Sequence, residues 1–191
     1  MKKQACFASV IFVLAAVWVG SALAPPGKII IVRHAEKLAG WPGGAAGAFQ
    51  PLSEKGLKTA KRLAAFFKKG TVSAIYSSAT TRTLHTAFQL AKKLGIQPEI
   101  AKACSDTSAI AAFYQTLHKN YGPDDTVVLV SHSNIVPYLL IKAGLPKTCF
   151  KKMAFTNWQG WLLTDYYGKL FVIENPGKKG KKCTDFKRIS F

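Results

Sequence analysis

Apolar runs and amphipathic stretches alternate along this chain. Lys28-Ile29-Ile30-Ile31-Val32-Arg33 is a β-branched run that predicts a strand covered on both faces. Residues 38–50 are rich in Gly and Ala, hold Trp41-Pro42-Gly43-Gly44, and predict a loop. Ser53-Glu54-Lys55-Gly56 opens a helix, with Ser53 as its cap, that runs to about residue 69. A short strand at 72–76 precedes a helix at 80–94 closed by Gly95. A short strand follows at 98–101. Ile110, Phe113, Tyr114 and Leu117 have helical spacing and place a helix at 107–120. A second buried strand at 126–130 leads to a helix at 135–143 ended by Gly144. Last come strands at 160–164 and 169–174 around Asp165-Tyr166-Tyr167-Gly168, a hairpin signal. From Pro176 the chain carries Lys178-Lys179-Gly180-Lys181-Lys182 and reads as an exposed, mobile basic tail.

This alternation predicts an α/β fold. It is a three-layer sandwich with a mainly parallel central sheet, helices on both faces and a C-terminal hairpin. In such sheets ligands bind beyond the carboxyl ends of the strands. Arg33-His34 end one strand and Ser131-His132 end another, so both histidines are expected on one rim. Ionisable side chains at the end of a buried strand are costly unless they meet partners or a ligand.

Composition narrows the setting. The chain has 191 residues, enough for one domain with a sizeable core. Lys and Arg number 27 against 9 Asp and Glu, a net charge of +18. That excess favours an anionic target such as an envelope glycan or lipid phosphate, and the same charge alone would also fit nucleic acid. Met1-Lys2-Lys3-Gln4 followed by an uncharged stretch from Ala5 to Ala24 reads as a bacterial-type secretory signal, with Ala22-Leu23-Ala24 as its cleavage pattern. Pro25 after that site disfavours cleavage, and an uncut segment would be long enough to anchor the chain in a membrane. Residues 1–24 are therefore expected to be a signal or anchor, 25–176 the domain and 177–191 the tail. The expected location is periplasmic or secreted, which ranks nucleic acid below envelope components. Membrane association could run through the N-terminus or the basic tail. Cys6 lies in the leader. Of Cys104, Cys149 and Cys183, one disulfide and one free thiol are expected, with the pairing open.

The chemistry rests on two histidines and two arginines. Arg33 and His34 end the first strand, Arg82 opens the helix after the second, and His132 ends the strand at 126–130. Arginine's planar fork suits tetrahedral oxyanions. A neutral imidazole can attack phosphorus and form a covalent intermediate. Two arginines and a second, protonated histidine would stabilise the oxygens of the transferring group. No metal-ligand spacing and no cofactor is needed.

Four ordered segments resemble the histidine phosphatase superfamily, also called the phosphoglycerate mutase-like family. Arg33-His34-Ala35-Glu36 resembles its Arg-His-Gly signature, with Ala35 in place of the usual glycine. Pro51-Leu52-Ser53-Glu54-Lys55-Gly56 resembles its helix opening. Ser77-Ser78-Ala79-Thr80-Thr81-Arg82-Thr83-Leu84-His85-Thr86-Ala87 and Val130-Ser131-His132-Ser133-Asn134 resemble the segments around its second arginine and second histidine. The resemblance implies that His34 is the phosphorylated nucleophile and that Arg33, His34, Arg82 and His132 form the phosphate pocket. It implies a general acid too, for which Glu36, Asp106 and Glu99 are the candidates. Asp106 reads equally well as a helix cap, and Glu99 as a strand-edge charge.

The expected function is an exported phosphatase acting on a phosphate monoester through a phosphohistidine. A non-catalytic phosphate- or polyanion-binding module is the alternative from another class, since no acid is assigned. A phosphoglycerate mutase-type phosphotransferase ranks lower because of the leader. Among the remaining residues, His85 sits where relatives carry Gln and by default packs on its helix. His118 reads as exposed, Ser77 and Ser78 as a chain turn with hydroxyls available to phosphate, and Asn134 as a loop or cap residue. Trp158 and Trp161 read as packing residues.

Overall fold

The structure is a computed structural model that describes residues 25–153, 156–157, 159–163, 166–178 and 181–191. The leader reading and Trp158 lie outside the described residues. Six strands form one sheet: β1 (Lys28–Arg33), β2 (Ala74–Ser77), β3 (Pro98–Ile100), β4 (Thr126–Ser131), β5 (Lys169–Glu174) and β6 (Phe186–Ser190), in the order β3-β2-β4-β1-β5-β6. The first four run parallel to their neighbours, while β5 and β6 are antiparallel additions at one side. The helices are α1 (Glu54–Phe66), α2 (Thr81–Leu94), α3 (Ile110–Asn120), α4 (Val136–Lys142) and α5 (Thr148–Met153). The expected sandwich with a mainly parallel sheet is what the chain forms.

The unbroken apolar run of β1 follows from its place between two helical layers. Side chains alternate across a strand. Ile29 and Ile31 enter one core with Val127, Leu129, Leu117, Leu139 and Leu140. Ile30 and Val32 enter the other with Val128, Val130, Leu63 and Leu90. Both faces are dry, so a polar residue is excluded until the strand runs out.

Four readings are corrected. The helix expected to reach residue 69 ends at Phe66, and the loop at 38–50 holds a 3-10 helix (Gly44–Phe49). Among the described residues the expected hairpin between 160–164 and 169–174 does not form. Leu162 instead bridges to Thr156, and β5 pairs with β1 and β6. The C-terminal hairpin is thus β5–β6, with β6 built from residues read as tail. Phe186 is buried against the core, and Cys183 is bonded to Cys149 at the start of α5, which ties the segment down. The basic residues hid an edge strand because edge strands carry charge to block further pairing. Cys104 is the buried free thiol. Among the described residues, no helix is long and apolar enough to cross a membrane.

Candidate active site

The carboxyl ends of β1, β4 and β2 lie side by side, with Arg33 opposite Ser131 and Ser77 opposite Val130. The next residue of each strand turns into one pocket: His34, His132 and Ser78. All three are buried, His34 at 4% exposure and His132 at 8%. The two imidazoles meet edge to face with centroids 5.4 Å apart. Arg82, in the first turn of α2, reaches the same place from the side. The structure therefore brings Arg33, His34, Arg82 and His132 together.

The loop after β1 is held from several directions. His34 N–H donates to Ser131 O at 2.9 Å, and Ala35 N–H to Thr86 Oγ1 at 3.0 Å. Ser53 N–H and Oγ–H donate to Glu36 O, while Ser53 Oγ caps α1 by accepting from Gly56 N–H. Gly56 is required here: a Cβ on it would stand 2.0 Å from Glu36 O. Helix α1 thus presses directly on the backbone two residues past His34.

Hydrogen bonding decides the histidine tautomers. His34 Nδ1 lies 2.7 Å from Ala35 O. A carbonyl only accepts, so Nδ1 carries the proton and Nε2 keeps its lone pair. His132 Nδ1 faces Arg82 Nη2 at 3.4 Å and Nε2 faces Ser78 Oγ at 2.8 Å. The guanidinium only donates, so Nε2–H donates to Ser78, whose hydroxyl is linked to Thr83 Oγ1 at 2.6 Å. Burial holds His34 well below its ordinary pKa, helped by His132, Arg33 and Arg82 and opposed by the Ala35 bond. Burial, then Arg82 and Arg33, lowers His132 to about 4. The second histidine is therefore held toward its neutral form by its own surroundings. A dianion beside it would supply the opposite field.

The arginines bear a cost. Burial lowers the pKa of both, opposed at Arg33 by Tyr167 and Glu36 and at Arg82 by Tyr167. Arg33 Nη1 donates to Leu163 O at 3.2 Å and Nη2 to Tyr167 Oη at 2.8 Å. Its Nε–H is buried with no partner among the described residues. Arg82 Nη1 donates to Gly47 O at 2.8 Å. Among the described residues neither guanidinium has a carboxylate within 4 Å. Unpaired cations and an orphaned donor around two neutral imidazoles make a receptor for an oxyanion.

Among the described residues none of the three acid candidates is hydrogen-bonded to a histidine, although Glu36 Oε2 is buried with no partner two residues past His34. Asp106 caps the 3-10 turn at Thr107–Ala109 through Ser108 and pairs with Lys102 at 3.1 Å. The Ser108 bonds and Lys102 hold it down at about 2, as a cap would be. Glu99 is exposed on edge strand β3. Glu36 lies nearer, but its carboxylate pairs with Lys55 at 3.6 Å. His85 is exposed on α2 away from the pocket. His118 is half-buried against Gly177 and not simply exposed. Asn134 and Trp161 are exposed.

Sequence reading missed Tyr167, which it placed in a turn. Its ring lies 3.9 Å from Arg33 Cζ and 6.1 Å from the His34 ring. It also missed Gly47, whose carbonyl no side-chain pattern could reveal. Among the described residues no group of three or more His, Cys, Asp or Glu is placed to hold a metal ion.

Residues 29–109 match the model of the histidine phosphatase superfamily (branch 1). The chain therefore carries that superfamily's sequence pattern from β1 past Arg82. Among solved structures it resembles the protein histidine phosphatase SixA complexed with tungstate, at 15% identity and TM-score 0.57, over 85% of this chain and 96% of that one. It is also similar to a mycobacterial glucosyl-3-phosphoglycerate phosphatase in complex with inorganic phosphate, at 15% identity and TM-score 0.59, over 86% and 95%. A mutant phosphoserine phosphatase from Entamoeba histolytica in complex with phosphoserine matches at 17% identity and TM-score 0.54, over 76% and 89%. These likenesses show the fold. No curated protein matches the sequence.

Proposed function

We propose that this histidine phosphatase-like chain is an exported phosphatase that hydrolyses a phosphate monoester through a phosphohistidine on His34. The observation that carries the reading is the pairing of two neutral, buried imidazoles with two guanidinium groups that have no carboxylate partner among the described residues. The His34 Nε2 lone pair attacks phosphorus as the P–O bond to the leaving group breaks. Arg33 and Arg82 gather the transferring oxygens, joined by His132 Nδ1–H once the field of the phosphate protonates that ring. The Arg82–His132 contact at 3.4 Å is long enough for an oxyanion to compete for it. Water then attacks the N–P bond and frees inorganic phosphate and His34.

The leader-like residues 1–24 and the Cys149–Cys183 disulfide support an oxidising, extracytoplasmic location. The net charge of +18 supports a substrate that is part of an anionic envelope glycan or lipid.

The test is turnover of p-nitrophenyl phosphate in EDTA, with acid-labile phosphoenzyme trapped by rapid quench. Wild type is expected to turn over and His34→Ala to lose both signals. Full activity in His34→Ala refutes the nucleophile. Phosphate binding without turnover on a broad panel of esters favours a binding module instead.

A further inference from the structure

Among the described residues no carboxylic acid is hydrogen-bonded to the histidines, yet an alkoxide leaving group needs a proton. We propose that Tyr167 donates it. This rests on the phosphatase reading above and extends it to the protonation step.

Position comes first. Strand β5 runs antiparallel to β1 with Leu170 opposite Val32. Continuing that register backward along β5 carries residues 167–169 alongside Arg33 and His34. Gly168, at φ +69°, turns the chain there. Its carbonyl accepts from Phe191 N–H just past β6, which anchors the turn. Tyr167 is thus held beside the nucleophile by the sheet itself. Its ring is 6.1 Å from that of His34, tilted by 54°, which sets the phenol beside the nucleophile.

Hydrogen-bond direction comes second. Arg33 Nη2 is the donor to Tyr167 Oη, so the phenol acts as acceptor in that bond and its own hydrogen remains. Among the described residues that hydrogen is given to no acceptor. The guanidinium also packs over the ring, 3.9 Å from its centroid. A cation in that position stabilises the phenolate that proton donation would create. Tyrosine is one of the side chains that serve as general acids.

The step balances. His34 Nε2 forms the N–P bond, the P–O ester bond breaks, and its electron pair goes to the leaving oxygen. That oxygen takes the phenolic proton and departs as an alcohol. The phenolate, paired with Arg33, then takes a proton from the water that attacks the phosphohistidine. The N–P electron pair returns to Nε2, and Tyr167 is again a phenol.

Leaving-group dependence separates this role from mere positioning of Arg33. p-Nitrophenolate departs without a proton, whereas the alkoxide of glycerol phosphate does not. Tyr167→Phe keeps the ring under Arg33 and deletes the hydroxyl. It is expected to lower kcat on glycerol phosphate by about 10²-fold or more and on p-nitrophenyl phosphate only a few-fold. Circular dichroism and melting temperature check that the variant folds as wild type does. An equal loss on both esters, or no loss on either, overturns the proton-donor role while leaving the phosphatase reading intact. Absence of wild-type turnover and of phosphoenzyme overturns both.

Discussion

Acidification should weaken this fold through His132 in a window set by its own pKa. His132 titrates at about 4 when folded and near 6.5 when unfolded. Above pH 6.5 both states leave it neutral, and its surroundings cost nothing. As pH falls from 6.5 toward 4 the unfolded chain takes up a proton that the folded chain refuses, so stability falls with falling pH. Below 4 both states are protonated and the loss levels off. Between pH 7 and 4.5 this linkage amounts to roughly 2.5 kcal/mol from His132 alone. His34, buried and also held low, adds a loss of the same sign. Asp106, at about 2, loses its contribution only as pH falls toward that value, so the carboxylate and histidine windows are separable. The assay is urea unfolding at pH 7.0 and 4.5 for wild type and His132→Gln, whose amide can still donate to Ser78 Oγ. His34 titrates in both proteins and cancels to first order. Wild type should lose roughly 2.5 kcal/mol more than the variant on acidification. Equal losses would refute the assignment of His132 as a buried neutral imidazole.

Two further outcomes follow from the scaffold. Cys149 and Cys183 are 34 residues apart, so replacing both by Ser should lower stability by about 3–4 kcal/mol on chain-entropy grounds, and reductant should lower the melting temperature of wild type but not of the variant. Gly56→Ala would put a Cβ 2.0 Å from Glu36 O, and forcing α1 off that backbone should cost roughly 1–3 kcal/mol, read as a fall of several degrees in melting temperature. An unchanged melt would show that α1 does not hold the His34 loop.

Much of the fold was legible because each two-sided strand must be apolar. Ile29 to Val32 and Val127 to Val130 are buried on both faces, so their composition announced them. Ser53 capping α1 and Gly95 closing α2 in the left-handed region were equally readable, since each serves a backbone need that few residues meet. Strand β6 was not legible. Phe186-Lys187-Arg188-Ile189-Ser190 pairs on one side only, so its exposed lysine and arginine look like those of a solvated tail. The misassigned hairpin has the same origin. The turn before Lys169 was read correctly as a turn, but pairing partners are chosen by sheet register, which no local pattern states.

The site divides along the same line. Arg33-His34, Arg82 and His132 stand at strand ends and a helix start, where local sequence fixes both the element and its boundary. Their residue types and order sufficed to gather them on one rim. The charge state of His132 was beyond that reading, because its pKa depends on burial and on Arg82 and Arg33, which only packing supplies. Tyr167 depended on tertiary structure altogether. It comes from 133 positions after His34, in the turn before an antiparallel strand whose register against β1 is set by the core beneath it. The sequence by itself determined which side chains could handle a phosphoryl group. The sheet decided which phenol stands beside them, because long-range pairing is an interaction between segments and is written in neither one alone.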